Sequence, residues 1–209
     1  MKSIDNTYHF ESGIRILRRK CTVICKIHDV TGSPSLRRSK PDFSGLARII
    51  VAQQLSFKSA HAIWQRFENT IQPITASTVL QLDDEVMRAA GLSRIKIRSL
   101  RALANTIMQK ELNLEEMIDF NDDDIRTLLI SIPGIGPWTA DMFLMFCLGR
   151  PDIFAPGDLA LQLAAQKAFG LVKRPSFVEL TKLSIRWRPW RSIAAQLLWS
   201  YYNIIKSRK

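Results

Sequence analysis

The chain has 209 residues, of which 46% are apolar and 23% are charged, and it carries a net charge of +11. This length allows one well-packed core, or two small lobes that share an interface. A membrane-spanning helix is excluded because no apolar run approaches the roughly 20 residues that it needs. The N-terminal sequence MKSIDNTYHFESG lacks the hydrophobic core of a secretion signal. Three cysteines within apolar helical patterns are typical of reduced thiols, so we expect an intracellular protein.

The positive charge is concentrated at the two ends of the chain. Residues 1–50 hold ten Lys and Arg against four acids, and residues 167–209 hold ten against one. Residues 83–130 carry seven basic residues and ten acids, so the middle is mildly acidic. A basic surface favours a polyanionic partner. The alternative is that the positive charge only keeps the protein surface solvated and binds no partner.

Helical periodicity dominates the chain, and no run of alternating residues predicts a strand. The first predicted helix crosses residues 14–27, and Asp42 and Ser56 can cap the second and third helices. Further helices are predicted at residues 76–81, 84–90, 93–109, 113–119, 122–131, 137–148, 158–169, 176–186 and 190–206. The pattern therefore predicts an all-α protein of about eleven or twelve helices.

Residues 131–158, SIPGIGPWTADMFLMFCLGRPDIFAPGD, join a glycine hairpin, an amphipathic helix and an isolated carboxylate. Gly134 and Gly136 allow a tight turn because neither carries a Cβ, and Pro137 suits the first position of a helix. The N-terminus of that helix presents unpaired N–H groups that suit an anion the size of phosphate. A second turn then delivers Asp158 to the start of another helix. A phosphate-binding turn at a fixed spacing from a carboxylate suggests chemistry on nucleic acid.

Four segments of the chain resemble the helix-hairpin-helix DNA glycosylases, and within them the 3-methyladenine DNA glycosylase II branch. They are VAQQLS at 51–56, IPGIGPWTA at 132–140, FAPGD at 154–158 and WRPWRS at 187–192. The resemblance implies a single all-α domain, a two-lobed helical bundle with DNA and base bound at the cleft. One lobe would hold both chain ends, about 1–40 and 155–209, and the other about 41–154. The extra N-terminal domain of the larger bacterial enzymes is not expected in a chain of this length.

The resemblance assigns the catalytic carboxylate to Asp158. Breaking an N-glycosidic bond creates positive charge on the sugar, which a fixed carboxylate stabilises while it orients or deprotonates water. From local sequence alone, Asp158 is equally an N-cap for the helix that follows, and both roles can hold at once. Gly157 stands where a commoner form of the motif has a second acid.

Position 138 distinguishes two mechanisms within this superfamily. In the related lyase-competent glycosylases, a lysine in this position attacks the sugar and forms a Schiff base. Trp138 cannot form an imine, so we expect a monofunctional enzyme that uses water and leaves an abasic site. No cysteine follows Cys147, which excludes the four-cysteine iron–sulfur cluster of some members. No cofactor is therefore expected, although the hairpin is compatible with a monovalent cation.

Two tryptophans, Trp138 and Trp190, resemble the aromatic walls of the base pocket. A purine alkylated at a ring nitrogen is cationic, and indole faces attract cations. Met142 and Leu159 are also assigned to the pocket, at positions where the bacterial branch often has aromatic residues. The alternative is that both tryptophans are ordinary core residues.

Contacts to duplex DNA are assigned to two turns. Phosphates would bind backbone N–H groups of the hairpin, at Gly134, Gly136 and Thr139. A β-branched residue at position 136 is expected to distort that turn. In the second turn, Gln54 and Leu55 match the family's wedge position, so the resemblance implies that one of them fills the gap left by a flipped base. Gln53 would hydrogen-bond the estranged base or the hairpin loop. Leu55 could also be ordinary packing at a helix end.

The leading hypothesis is a monomeric, monofunctional glycosylase for alkylated purines of the 3-methyladenine and 7-methylguanine type. It would act on double-stranded DNA in base excision repair, in the cytoplasm and nucleoid of a bacterium or the nucleus of a eukaryote. A glycosylase for another lesion, such as hypoxanthine, is the alternative within the same enzyme class. The other alternative is a non-catalytic helix-hairpin-helix module, which would need neither Asp158 nor the tryptophans.

Overall fold

The computed structural model describes residues 3–207. Within that range it contains α-helices, two short 3-10 helices and a π-helical turn, and no strand, which confirms the all-α class. None of these helices is long and apolar enough to cross a membrane. The α-helices are α1 Thr7–Lys20, α2 Thr22–Thr31, α3 Phe43–Ala52, α4 Phe57–Thr70, α5 Ala76–Gln81, α6 Asp84–Ala89, α7 Arg94–Met108, α8 Asp122–Ile130, α9 Pro137–Met142, α10 Leu159–Phe169, α11 Phe177–Ser184 and α12 Arg191–Ser207.

The chain divides into two compact units. The first unit combines both chain ends, Met1–Arg38 and Gly149–Lys209, and the second is the continuous segment Ser39–Leu148. Each unit has its own buried apolar core.

In the first unit, α12 is the central helix and packs against α10, α2 and α1. Its residues 192–198 are all buried, so this helix shows little amphipathic contrast there. Trp187, in the 3-10 helix Ile185–Trp187, is completely buried, and its ring lies 5.5 Å from that of Phe154 and 6.1 Å from that of Phe169, between centroids.

The single helix predicted across residues 14–27 is wrong, because the chain bends at Cys21. The backbone of Cys21 is extended (φ −145°, ψ 108°), which ends α1 and begins α2. Both helices bury apolar residues and pack against each other in the first unit. The bend therefore lets the apolar faces of two short helices pack into the same core. The sequence has no glycine or proline at this position from which the bend could be predicted.

In the second unit, helix starts are fixed by side-chain caps at the predicted places. The Asp42 carboxylate accepts a hydrogen bond from Gly45 N at 2.8 Å, and the Ser56 hydroxyl accepts one from Ser59 N at 3.1 Å. Asn121 caps α8 in the same way. Such caps satisfy backbone N–H groups that have no partner within the helix.

The helix predicted at residues 137–148 is not uniform. It is α-helical over Pro137–Met142 and then continues as a π-helical turn over Phe143–Cys147. A π turn places one extra residue in the helical turn and shifts the face that the following side chains present. Four of its five residues are buried, so packing in the second unit selects the wider turn.

Candidate active site and DNA-binding turns

The hairpin between α8 and α9 is shaped by Gly134. Its φ is +88°, in the left-handed region that favours glycine, and Ile135 N donates to Ile132 O at 3.1 Å across the turn. A Cβ at Gly134 would overlap the side chain of the buried Ser99 on α7. Position 134 therefore requires glycine for both its conformation and its surroundings.

Gly136 differs from Gly134. Its backbone is extended (φ −104°, ψ 178°), and a Cβ added there would meet nothing within 4 Å. The expectation that a β-branched residue at 136 distorts the turn is therefore wrong, because any residue adopts this conformation. Gly136 is the N-cap of α9 without a side-chain cap, and Pro137 occupies the first helical turn as predicted.

An ion pair joins the two helices of the hairpin. Arg126 on α8 donates to the Asp141 carboxylate on α9 at 2.9 Å, and Asp141 is only 8% exposed. Arg126 also binds Asp123 at 2.8 Å. The Arg126–Asp141 pair therefore holds α8 and α9 together on either side of the hairpin.

The wedge turn, defined as residues 53–56 between α3 and α4, has an unusual backbone at its centre. Gln54 has a φ of +57°, which is uncommon for a residue with a Cβ and clusters at functional sites. Gln54 and Leu55 are both exposed, as expected for residues that fill a gap in DNA. The choice between them stays open.

Gln53 ties the wedge turn to the hairpin. Its amide Nε2 donates to Gly134 O at 3.0 Å and to the Thr139 hydroxyl at 2.9 Å. The bond to the hairpin loop is one of the two roles predicted for Gln53. Since Thr139 is buried and its hydroxyl is used in this way, its predicted DNA contact rests on its backbone N–H.

Lys96 holds the other side of the wedge turn. This residue of α7 donates to Val51 O, in the last turn of α3, at 2.7 Å. Burial lowers the pKa of the Lys96 ammonium. This contact makes Lys96 a support for the end of α3.

Trp138 and Met142 lie one turn apart on α9. Trp138, the second residue of that helix, is half-buried, while Met142 is 4% exposed. The indole of Trp138 is therefore the more accessible of these two predicted pocket residues in the second unit.

Asp158 is the N-cap of α10, as its local sequence predicts. Its Oδ1 atom accepts a hydrogen bond from Leu161 N at 2.9 Å and a second from the indole Nε1 of Trp199 at 3.1 Å. The turn before it is closed by Asp158 N donating to Ala155 O at 3.0 Å. Leu159, predicted for the pocket, is about half exposed at the start of α10. The carboxylate is thus fixed in orientation by donors from two helices.

Trp199 was missed by the sequence reasoning, which assigned Trp190 to a wall of the base pocket and assigned no tryptophan to the carboxylate. Trp190 immediately precedes α12 and lies against Gly13 of α1, where an added Cβ would come within 2.8 Å of its ring. Trp199 lies nine residues further along, where its indole reaches Asp158. No signal in the sequence distinguishes the two, because α12 is apolar on several faces.

No group of three or more His, Cys, Asp or Glu residues that could hold a metal ion occurs within residues 3–207. In the first unit, this part of the chain provides the Asp158 carboxylate, which two hydrogen bonds hold in place. In the second unit it provides two turns joined by Gln53, with the half-buried Trp138 two residues after Gly136 of the hairpin.

Comparison with known proteins identifies the family. The model of the HhH-GPD superfamily of base excision DNA repair proteins matches residues 47–189. DNA-3-methyladenine glycosylase 1 of Schizosaccharomyces pombe is 34% identical over 169 residues, which are 79% of this chain and 74% of that protein.

The solved structure of 3-methyladenine DNA glycosylase Mag1 from the same yeast, in complex with abasic DNA, matches with a TM-score of 0.84 at 28% identity. This match covers 90% of this chain and 95% of that chain. A DNA-3-methyladenine glycosidase from Bacillus halodurans matches with a TM-score of 0.75 at 28% identity, over 98% of this chain and 93% of that chain. The chain belongs to the HhH-GPD superfamily of base excision DNA repair proteins.

Proposed function

We propose that the protein is a monofunctional DNA glycosylase that flips alkylated purines out of double-stranded DNA and hydrolyses their N-glycosidic bond. The main support is the fixed orientation of the Asp158 carboxylate, whose Oδ1 accepts hydrogen bonds from Leu161 N and from Trp199 Nε1. The family and the relatives named 3-methyladenine glycosylases support the same enzyme class. The product is an abasic site, which base excision repair then processes.

Asp158 supplies the charge that this reaction needs. As the base departs, the sugar becomes oxocarbenium-like, and a fixed carboxylate stabilises that positive charge and orients the attacking water. The two donors hold the carboxylate before substrate arrives, so little reorganisation is required at the moment of reaction. The electron pair of the broken C–N bond leaves with the base.

The leaving group explains why one carboxylate suffices. A purine alkylated at a ring nitrogen carries a positive charge and becomes neutral as it leaves, so no strong acid is needed. The half-buried indole of Trp138 offers a face that attracts such a cation. The selectivity for alkylated bases would then come from this charge and from fit within the pocket.

The function is tested by free-base release from duplex DNA treated with a methylating agent, separated by chromatography. We expect 3-methyladenine and 7-methylguanine to be released in amounts that grow with enzyme and time. A duplex that contains hypoxanthine, assayed in parallel, tests the alternative lesion. Release of hypoxanthine alone would contradict the alkylpurine assignment, and release of no base from either duplex would favour a binding module.

Because Trp138 replaces the imine-forming lysine of the lyase-competent relatives, borohydride should trap no covalent adduct between the protein and damaged DNA. The reaction should stop at an abasic site, which alkali then cleaves. A lyase-competent glycosylase on the same duplex is the positive control. A trapped wild-type adduct would overturn the monofunctional assignment and point to another amine of the chain.

Replacing Trp199 with Phe should lower kcat about 10- to 160-fold and leave KM nearly unchanged. The change keeps an aromatic ring but removes the Nε1–H that orients Asp158, and a hydrogen bond to a charged group contributes about 1.5–3 kcal/mol. Single-turnover rates and duplex affinity measure the two effects separately. No loss of kcat in Trp199→Phe would show that the hydrogen bond from Trp199 Nε1 does not orient the catalytic carboxylate.

We expect the enzyme to need no cofactor. The enzyme would act as a monomer on genomic DNA, in the bacterial cytoplasm and nucleoid or in the eukaryotic nucleus. A monovalent cation at the hairpin would be held by backbone carbonyls.

A further inference from the structure

Two aromatic side chains lie on the surface of α4, directly after the wedge turn. Phe57 is the first residue of α4 and is 70% exposed, and His61 lies one helical turn later on the same face. Their ring centroids are 6.2 Å apart and their planes differ by 13°. Phe57 therefore exposes most of an aromatic side chain at the start of α4. The proposed chemistry uses neither residue.

The surroundings of this aromatic pair favour a negatively charged partner. α4 has no acid in its first turn, exposes Lys58 there and reaches its first acidic residue only at Glu68. Exposed flat rings beside a cation such as Lys58 are a combination with which proteins bind unpaired nucleic acid bases.

The spacing along the chain brings the pair within reach of the gap in the duplex. Phe57 is three positions after Gln54 in the chain, so their Cα atoms lie within roughly 10 Å of each other. Successive bases of one strand are about 3.4 Å apart along the helix axis. Phe57 can therefore reach bases within about three steps of the position that the wedge turn fills.

We propose that Phe57 and His61 bind the unpaired base of the undamaged strand, the base that loses its partner when the damaged nucleotide leaves the duplex. This inference rests on the proposed function, since only a base-flipping enzyme creates such a base. Stacking on an aromatic ring tolerates any of the four bases, so the pair would stabilise the flipped state without reading sequence. The wedge residue would fill the gap in the damaged strand, while Phe57 and His61 would hold the unpaired base opposite that gap.

The first test compares affinities for two duplexes, one with a stable abasic-site analogue and one undamaged. Phe57→Ala should lower affinity for the abasic duplex by roughly 5- to 100-fold, the range expected for loss of one stacked base. Its affinity for the undamaged duplex should change less than twofold. Phe57→Trp should retain wild-type affinity for both, because it keeps a flat aromatic face.

Tyr8→Ala is the matched control for a lost surface ring. Tyr8 is 72% exposed on α1 in the first unit and lies beside His9, with ring centroids 6.1 Å apart. This variant should bind both duplexes as the wild type does. An equal loss of both affinities in Phe57→Ala, or no loss in either, would overturn the proposal.

The second test locates the contact by photo-cross-linking with 5-iodouracil, which reacts with stacked aromatic side chains. With 5-iodouracil opposite the abasic analogue, we expect a cross-link to the peptide that contains Phe57 and His61, lost in the double variant Phe57→Ala, His61→Ala. A cross-link to this peptide only from the damaged strand would overturn the proposal. Both tests use an uncleavable duplex, so they are read independently of base release by the wild type, which alone decides the proposed function.

Discussion

Asp158→Asn is expected to slow base release at least a hundredfold while leaving affinity for damaged duplex nearly unchanged. Asn keeps the shape of the side chain and can still cap α10 through the bond to Leu161 N. It lacks the negative charge that stabilises the sugar cation, and removal of one such electrostatic contact typically costs 100- to 1000-fold in rate, or about 2.7–4 kcal/mol. Single-turnover release of methylated bases measures the rate, and fluorescence anisotropy measures the affinity.

Asp83→Asn is the control for this substitution. Asp83 is the exposed N-cap of α6 in the second unit and makes no side-chain cap hydrogen bond, so its replacement should leave the rate unchanged. If Asp158→Asn retained more than about a tenth of the wild-type rate, a loss under about 1.4 kcal/mol, Asp158 would not be the catalytic carboxylate.

Gly134→Ala is expected to lower the free energy of unfolding by about 2–4 kcal/mol and the Tm by roughly 5–12 °C. The new Cβ must adopt a φ of +88° and would overlap the side chain of Ser99. Gly136→Ala should change the Tm by less than about 2 °C, because its backbone is extended and its surroundings are open. Calorimetry on the two single variants measures this difference.

The contribution of Ser99 to that loss can be separated with a third variant. Ser99→Gly removes the atoms that the new Cβ meets first and leaves the Ser99 Cα position at 3.4 Å, so Gly134→Ala should cost less in the Ser99→Gly background. The strain of the positive φ would remain. Equal losses in the two backgrounds would show that contact with Ser99 does not limit position 134.

DNA affinity then distinguishes the two glycines by function. Gly136→Ala folds normally but places a methyl group on an open backbone at the N-terminus of α9, where phosphate would approach. We therefore expect weaker binding to damaged and undamaged duplexes alike. Unchanged affinity for both duplexes in a stable Gly136→Ala protein would mean that the hairpin is not the phosphate contact.

Much of the local structure was predictable because its causes lie within a few residues. Asp42, Ser56 and Asn121 cap their helices through N–H groups two or three residues away, so their roles are visible in the sequence. The same holds for Pro137 at the start of α9 and for Asp158 as the N-cap of α10. The order of the four family segments was likewise sufficient to identify the superfamily.

The tertiary structure alone decided how these local pieces support one another. Gln53 reaches Gly134 and Thr139 across more than 80 residues, and Trp199 reaches Asp158 across 41. The bend at Cys21 and the different requirements at Gly134 and Gly136 also depend on what lies nearby in space. Sequence periodicity reports which face of a helix is apolar, but it carries no record of which distant side chain meets that face. The N-cap position of Asp158 was therefore predictable from its neighbours, while the bond from Trp199 to its carboxylate became visible only once the helices were packed.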